Sequence, residues 1–301
     1  MTREPEGGMA LTHPATVTQL PLAPLWRRRA ATCIASAKPA GLTHSQGDSC
    51  GNQMFTARFL NWFPTGLKTQ VYIVNDGDYY RTRITHCLEV AQLARSLARM
   101  LGLCEELAEA IALAHDVGHT PFGHAGEETL DRVLKEYGMP QGWNSNTHSL
   151  YVLDHLEFEH PSRQGLDLTY ATRQGVARHH TPFDQPDAGF DDYPHPTLEA
   201  QAVNVTDLLA YVAHDTEDAV FGGLITVEEL VDGDDEALGL WRASLRAAIP
   251  EFEAAGADAV ARRQPEMRRH LMQRARRHFI NTRSSARARC TEGIIRILRM
   301  G

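Results

Sequence analysis

Apolar residues recur along much of this chain at a spacing of roughly 3.6 residues, in stretches broken by glycine or polar turns. Leu88, Ala91, Leu93, Ala94, Leu97, Ala98 and Leu101 form one stripe, closed by Gly102, which predicts an amphipathic helix. A second helix is expected from about Glu105 to Asp116, burying Leu107, Ala110, Ile111 and Ala114 and stopping at Gly118. A third spans Gly126 to Tyr137, and a fourth runs from about Asn146 to His155 with Leu150 and Leu153 inward. Thr169 is placed to cap a short helix reaching Arg178. Leu198 to Phe221 reads as a long helix carrying Val203, Val205, Leu208, Leu209, Val212 and Val220. After Gly222-Gly223, Thr226-Val-Glu-Glu229 opens another by a capping-box pattern. One extended pattern, Leu67 to Val74, ends at Asn75-Asp76-Gly77-Asp78. The fold class expected is all-α.

Composition divides this pattern into three parts. Residues 1–53 mix Pro, Ala, Gly, Thr and Ser without a sustained period and predict little order. Residues 54–231 carry the helical core. Residues 232–301 begin at an acidic turn and form a helical, arginine-rich segment. From Ala261 to Gly301 twelve arginines face Glu266 and Glu292, a local balance of +10, so the rest of the chain carries −18 of the overall −8. Such a stretch can make weak electrostatic contact with nucleic acid, but no aromatic stacking pattern accompanies it, and a solvated helix is the plainer expectation. At 301 residues and 43% hydrophobic content a full core is affordable. No apolar run approaches the ~20 residues of a membrane span. Five cysteines without a C-x-x-C pair read as thiols in a reducing compartment. With no apolar leader at the amino terminus, a cytoplasmic location is expected.

One run resists explanation by packing alone. Ala114-His115-Asp116-Val-Gly-His119-Thr-Pro-Phe-Gly-His124-Ala-Gly-Glu127 places three imidazoles and two carboxylates within thirteen residues. Groups of this kind need hydrogen bonds or a partner charge once buried. With His86 upstream and Asp207 downstream, His115 and Asp116 have the chemistry to hold one divalent ion. Imidazole and carboxylate together suit Mn, Fe, Ni, Co or Zn, and the lack of cysteine argues against a closed structural zinc site. Neighbouring His and Asp can both ligate only where a helix is finishing, because successive residues on a regular helix point ~100° apart. Gly118 and Gly123 would let the chain turn tightly there. On the long helix, Asp207, Tyr211 and Asp215 share a face at i, i+4 and i+8, a polar stripe that must look into a wet cavity. Each residue alone has an ordinary reading as a cap, a surface acid or a tautomer-fixing pair. His179-His180 fits a supporting role as well as contact with substrate.

The order His … His-Asp … Asp resembles the HD-domain phosphohydrolases. Lys68-Thr-Gln70-Val, Tyr80-Arg-Thr-Arg83-Ile-Thr-His86, the His115-to-Glu127 run and Asp207-Leu-Leu-Ala-Tyr211 look like the deoxyguanosinetriphosphate triphosphohydrolase-like group. The resemblance spans about Leu67 to Leu224. It implies an HD-domain helical bundle that hydrolyses a deoxynucleoside triphosphate to deoxynucleoside and inorganic triphosphate. It implies one divalent metal, Mn or else Mg, Fe, Ni, Co or Zn, held by His86, His115, Asp116 and Asp207. By the same likeness His124 and Glu127 form the catalytic dyad. Arg83 and His119 contact phosphate, Gln70 and Asp215 hold the sugar 3′ hydroxyl, and Tyr211 lies under the sugar ring. A homo-oligomer is implied as well.

Three features depart from the family's pattern. The arginine-rich run before Lys-Thr-Gln is Phe59-Leu-Asn-Trp-Phe-Pro-Thr-Gly-Leu67 here. A Phe-Glu-His-Asn-like motif is replaced by Trp143-Asn-Ser145-Asn146, so Ser145 stands where a histidine often sits near the leaving group. The arginine-rich end looks unlike the family's ordered helices. Two rivals therefore stand beside the triphosphohydrolase: another HD-type nucleotidase or phosphodiesterase, and a nucleotide- or nucleic-acid-binding protein with weakened catalysis.

Overall fold

A computed structural model describes residues 82–157, 164–180, 189–190, 195–233, 239–254 and 268–282. Among these the architecture is all-α, as expected, with no strand. The chain order is α1 (Arg83–Leu101), α2 (Glu105–Ala114), α3 (Gly123–Glu136), α4 (Ser145–Tyr151), α5 (Tyr170–Ala177), α6 (Leu198–Phe221), α7 (Val227–Asp232) and α8 (Gly239–Ala254). A further helix, α9, covers 268–282. The expected amino-terminal segment and the extended pattern at Leu67–Val74 lie outside the described residues.

Of the stripe read from the sequence, Ala91, Ala94, Leu97, Ala98 and Leu101 are buried on α1, joined by Cys87 and Val90, whereas Leu88 and Leu93 are only partly buried at the edge of the core. The helix starts a full turn earlier than that stripe, because Thr82 and Thr85 close a capping box across its first turn. Arg83 and His86 thereby become helical residues on the core side. α2 is apolar nearly all round, burying Leu107, Ala108, Ala110, Ile111, Ala112, Leu113 and Ala114, as befits a central helix. It packs against α1, α5 and α6. Its many alanines leave room for close approach, and full burial of a residue such as Ile111 contributes about 1.5–3 kcal/mol. Cys104 opens α2 without a side-chain cap. Instead the buried carboxylate of Glu199, on α6, accepts its backbone N–H at 3.0 Å, a favourable place for negative charge.

Two apolar clusters share α6. Its first half contributes Ala200, Ala202, Val203 and Ala210 to the cluster built on α1 and α2. Its second half joins Ala213 and Val220 to Leu230, Trp241, Leu245, Leu271, Met272, Ala275, Phe279 and Ile280. There the rings of Trp241 and Phe279 stack with centroids 4.9 Å apart. So the arginine-rich stretch, expected to depart from ordered family helices, contains an ordered helix with a buried face over 268–282. The reason is its spacing: Leu271, Met272, Ala275 and Phe279 fall on one side, leaving Arg274 and Arg277 exposed, while Arg276 turns inward to carboxylates.

Other details refine the reading. The capping box at Thr226 and Glu229 forms as expected, as does the Thr169 cap. α4 continues past Tyr151 into a π-helical turn, Val152–Leu156, with Leu150 and Leu153 buried. Cys87 is a free, buried thiol, whereas Cys104 is disulfide-bonded, so the expectation of five thiols does not hold there. No helix among the described residues is long and apolar enough to cross a membrane.

Candidate active site

The ends of α1 and α2 and the middle of α6 meet at one point. His86, on the first turn of α1, places Nε2 2.8 Å from Asp207 Oδ1 and 3.8 Å from Asp116 Oδ2. His115 lies at the end of α2 with Nε2 3.5 Å from Asp116 Oδ1 and 3.6 Å from Asp207 Oδ1. All four side chains are buried. The helix finishes at Ala114, and Asp116 falls in the turn beyond it, which lets adjacent residues face the same centre.

The turn that follows is built by contact as much as by flexibility. Gly118 lies in the turn, as expected, but with an ordinary φ. Its constraint is α4: a Cβ there would sit 2.2 Å from the Ser149 nitrogen. The Gly118 N–H donates to Ser149 Oγ at 2.8 Å, and that hydroxyl donates to the His115 carbonyl at 3.1 Å. At Gly123 the expected freedom is used, with φ of 56°, next to Phe122 at 68°. This bend starts α3 three residues earlier than the sequence pattern placed it, bringing His124 into its first turn.

The electrostatics call for positive charge at the centre. Burial opposes ionisation of Asp116, but Arg83, with Nη1 2.9 Å from its Oδ2, and the surrounding histidines hold its carboxyl far below the usual range. Burial likewise opposes ionisation of Asp207, and the facing imidazoles of His115, His179 and His86 reverse that, His86 by a hydrogen bond of 2.8 Å. For His115, burial alone would favour the neutral ring; the carboxylates of Asp116 and Asp207 outweigh it and raise its pKa to about 9. A proton is thus what this cluster gathers when no other cation is at hand. His115 Nδ1 faces the Ala112 carbonyl at 2.7 Å and donates to it, which turns Nε2 inward as the ligand nitrogen. That Nε2 is buried and has no hydrogen-bond partner among the described residues.

His86, His115 and Asp116 offer ligand atoms within 4.8 Å of one another, and so do His115, His179 and Asp207. The donors are imidazole nitrogens and carboxylate oxygens, the set that suits a borderline divalent cation. The residues fit such an ion, and the sequence-predicted quartet is brought together. His179, read from sequence as either a supporting or a substrate-contacting residue, lies with Nε2 3.3 Å from Asp207 Oδ2 and its ring 4.7 Å from that of His115. Asn146 holds its backbone, donating from Nδ2 to the His179 carbonyl at 2.8 Å. A clue was available: His179 lies two residues past the end of α5, much as His115 and Asp116 lie just past the end of α2.

Around this centre lie the remaining candidates. His119 Nδ1 is 3.2 Å from Asp116 Oδ1, and its Nε2 is 3.9 Å from Glu127 Oε1. Glu127 Oε2 is 3.7 Å from His124 Nδ1, and the His124 side chain is 46% exposed. Tyr211 and Asp215 share a hydrogen bond on α6; burial and the neighbouring carboxylates of Asp215 and Asp207 push the phenol up to about 12. Burial also raises the Asp215 carboxyl, against the bond from Tyr211. Gln70 lies outside the described residues. Arg83, expected at a phosphate, is buried and paired with Asp116.

Residues 83–212, the stretch that holds every candidate metal ligand, match the family model described as HD domain. The chain is similar in sequence to HD-domain phosphohydrolases. Among its relatives are proteins named deoxyguanosinetriphosphate triphosphohydrolase-like protein. That of Syntrophus aciditrophicus is 53% identical over 165 residues, that of Wolinella succinogenes 49% over 174, and that of Ralstonia nicotianae 45% over 194. These matches cover 54%, 56% and 63% of this chain and 40%, 47% and 48% of the relatives. The chain therefore spans less than half the length of these curated relatives.

Proposed function

We propose that the protein hydrolyses deoxynucleoside triphosphates to deoxynucleoside and inorganic triphosphate with a divalent metal, Mn foremost. The observation that carries this reading is the buried meeting of His86, His115, Asp116 and Asp207 beside the His119, His124 and Glu127 group. The names of the relatives support the choice of substrate.

His86, His115, Asp116 and Asp207 would hold the ion, with His179 an additional donor. When bound, a divalent cation supplies Lewis acidity toward phosphate oxygens and water. The chain's own residues do the rest. Glu127 orients the His124 ring from one turn along α3, and His124, at the exposed rim, delivers a proton to the departing 5′ oxygen. The 3.7 Å separation of that pair is long for a hydrogen bond, and such contacts tighten when substrate is bound. His119 faces the triphosphate and spreads its charge. Arg83 neutralises Asp116 and keeps its remaining donors for a phosphate oxygen. Asp215 holds the sugar 3′ hydroxyl, aided by Gln70. The ring of Tyr211 leaves little room for a 2′ hydroxyl, which makes the preference for deoxy substrates steric.

The test is product analysis with purified protein, Mn and each dNTP. Release of inorganic triphosphate and deoxynucleoside is expected. Orthophosphate or a monophosphate would replace this reading with another HD-type nucleotidase or phosphodiesterase. No turnover, with nucleotide still bound, would leave a binding protein.

A further inference from the structure

A chain of buried polar groups leads away from His86 on the side opposite Asp207. His86 Nδ1 lies 3.4 Å from Nδ1 of His214, and both rings are buried. His214 Nε2 lies 2.8 Å from Glu89 Oε2. The same oxygen is 3.1 Å from Arg276 Nη1, and that nitrogen is 3.3 Å from Glu217 Oε2. Helical spacing accounts for the line. Glu89 follows His86 by three residues on α1, His214 follows Asp207 by seven on α6, and Glu217 follows His214 by three. Arg276 arrives from α9.

The order of donors along this line is dictated by its far end. A carboxylate can only accept, so the proton on the facing nitrogen of His214 must sit on Nε2. In the neutral ring this makes His214 Nδ1 an acceptor. The nitrogen opposite it, His86 Nδ1, must then be the donor. With Nδ1 carrying the proton, the neutral His86 ring has its lone pair on Nε2, the atom that faces Asp207 and Asp116. The reverse arrangement would set two N–H groups against each other, or remove the proton facing Glu89.

We infer that Glu89 and His214 are positioning residues that fix the tautomer of His86, so that its Nε2 lone pair is presented to the cation, while Arg276 anchors the Glu89 carboxylate from α9. This rests on the reading of the cluster as a cation site, whichever phosphate ester is cut there. Three of the four groups behind His86, namely His214, Arg276 and Glu217, lie outside the HD-domain match, which ends at residue 212. Ligand presentation therefore depends on the second apolar cluster.

The test compares wild type, His214→Leu, His214→Gln and Glu89→Gln by zinc titration against a chelator and by 15N NMR of the ring nitrogens in the zinc-loaded full chain. Zinc-loaded wild type should carry protons on His86 Nδ1 and His214 Nε2. His214→Leu should bind zinc about 10- to 100-fold more weakly, the usual effect of losing the partner of a ligating histidine. His214→Gln, whose amide oxygen can accept from His86, should recover most of that loss. Glu89→Gln should weaken binding less and populate both tautomers of His214. A packing role alone would lower the melting temperature of zinc-free protein and leave zinc affinity alone; that result, or a wild-type proton on His214 Nδ1, overturns the inference. Should His214→Leu fail to fold, the wild-type spectrum and Glu89→Gln, at a partly buried site, decide. A wild type that binds no zinc removes the cation reading, and the relay with it.

Discussion

The cation cluster and helix α3 adjoin in sequence through the His115-Asp116 pair, yet they are built in opposite ways. Every residue of the His86, His115, Asp116 and Asp207 cluster is buried, with Arg83 behind it. α3, which carries His124 and Glu127, has no buried residue at all. The contrast follows from what each does under the proposed reaction. Charges that gather a small cation gain from low dielectric and fixed neighbours, because desolvation strengthens their mutual attraction. A proton donor must instead meet a substrate that arrives from solvent, so it stands at the rim.

The largest expected effect tests the buried side. Asp116→Ala removes a ligand and strands the buried Arg83 guanidinium, so urea unfolding should show a loss of about 3–5 kcal/mol, together with loss of metal. A fall under 1 kcal/mol would mean that the pair is not the keystone of the cluster. Glu127→Ala tests the exposed side. Its stability should stay within about 0.5 kcal/mol, metal content should be unchanged, and dNTP hydrolysis should drop by ~10²-fold or more. Equal activity in that variant would refute the dyad.

A pH series sharpens the contrast further. His115 titrates near ~6.5 in an unfolded chain and at about 9 in the folded, metal-free protein. The folded state thus binds this proton more tightly. Its contribution to stability is complete below pH ~6.5 and disappears as pH rises through about 9. Melting of metal-free protein should fall across that window. Metal affinity should run the other way, rising by up to ~10-fold per pH unit as the competing proton leaves. Asp116 and Asp207, both held low, act in acid: their contribution is present above pH ~3.9 and is lost as pH falls below it. The smallest effect belongs to the start of α3. Phe122 adopts a left-handed backbone with its ring 76% exposed, so Phe122→Gly should raise stability by up to about 1 kcal/mol in thermal unfolding.

Much of this was legible in the sequence, because helix periodicity and ligand chemistry are local. The stripe of α2 and most of that of α1 named the core. On α6 only Val203 and Val220 of the six apolar residues read are buried; small alanines take the inner face and Val212 is exposed. The candidate ligands could be chosen by residue type, His86, His115 and Asp116 also by position near helix ends. Three things were not legible. The bend at Phe122 and Gly123 began α3 early because a left-handed phenylalanine leaves no mark in an apolar pattern. Gly118 looked like a turn glycine, and only the packing of α4 reveals that it is small because Ser149 is there. His214 and Arg276 passed as ordinary helical polar residues, since their partner Glu89 is 125 and 187 positions away in the chain. Chemistry carried by one segment can be read in order; chemistry shared across the fold has to be seen in space.

The bond pair joining Gly118, Ser149 and His115 bears on how this centre could be moved. Because one hydroxyl links the metal loop to α4, the thirteen-residue run is not a portable cassette. A protein engineer transplanting it into an unrelated helical scaffold would have to bring the helix carrying Ser149 along, or supply another hydroxyl at the same spot. The smallest unit that can be grafted is a loop together with the helix it leans on.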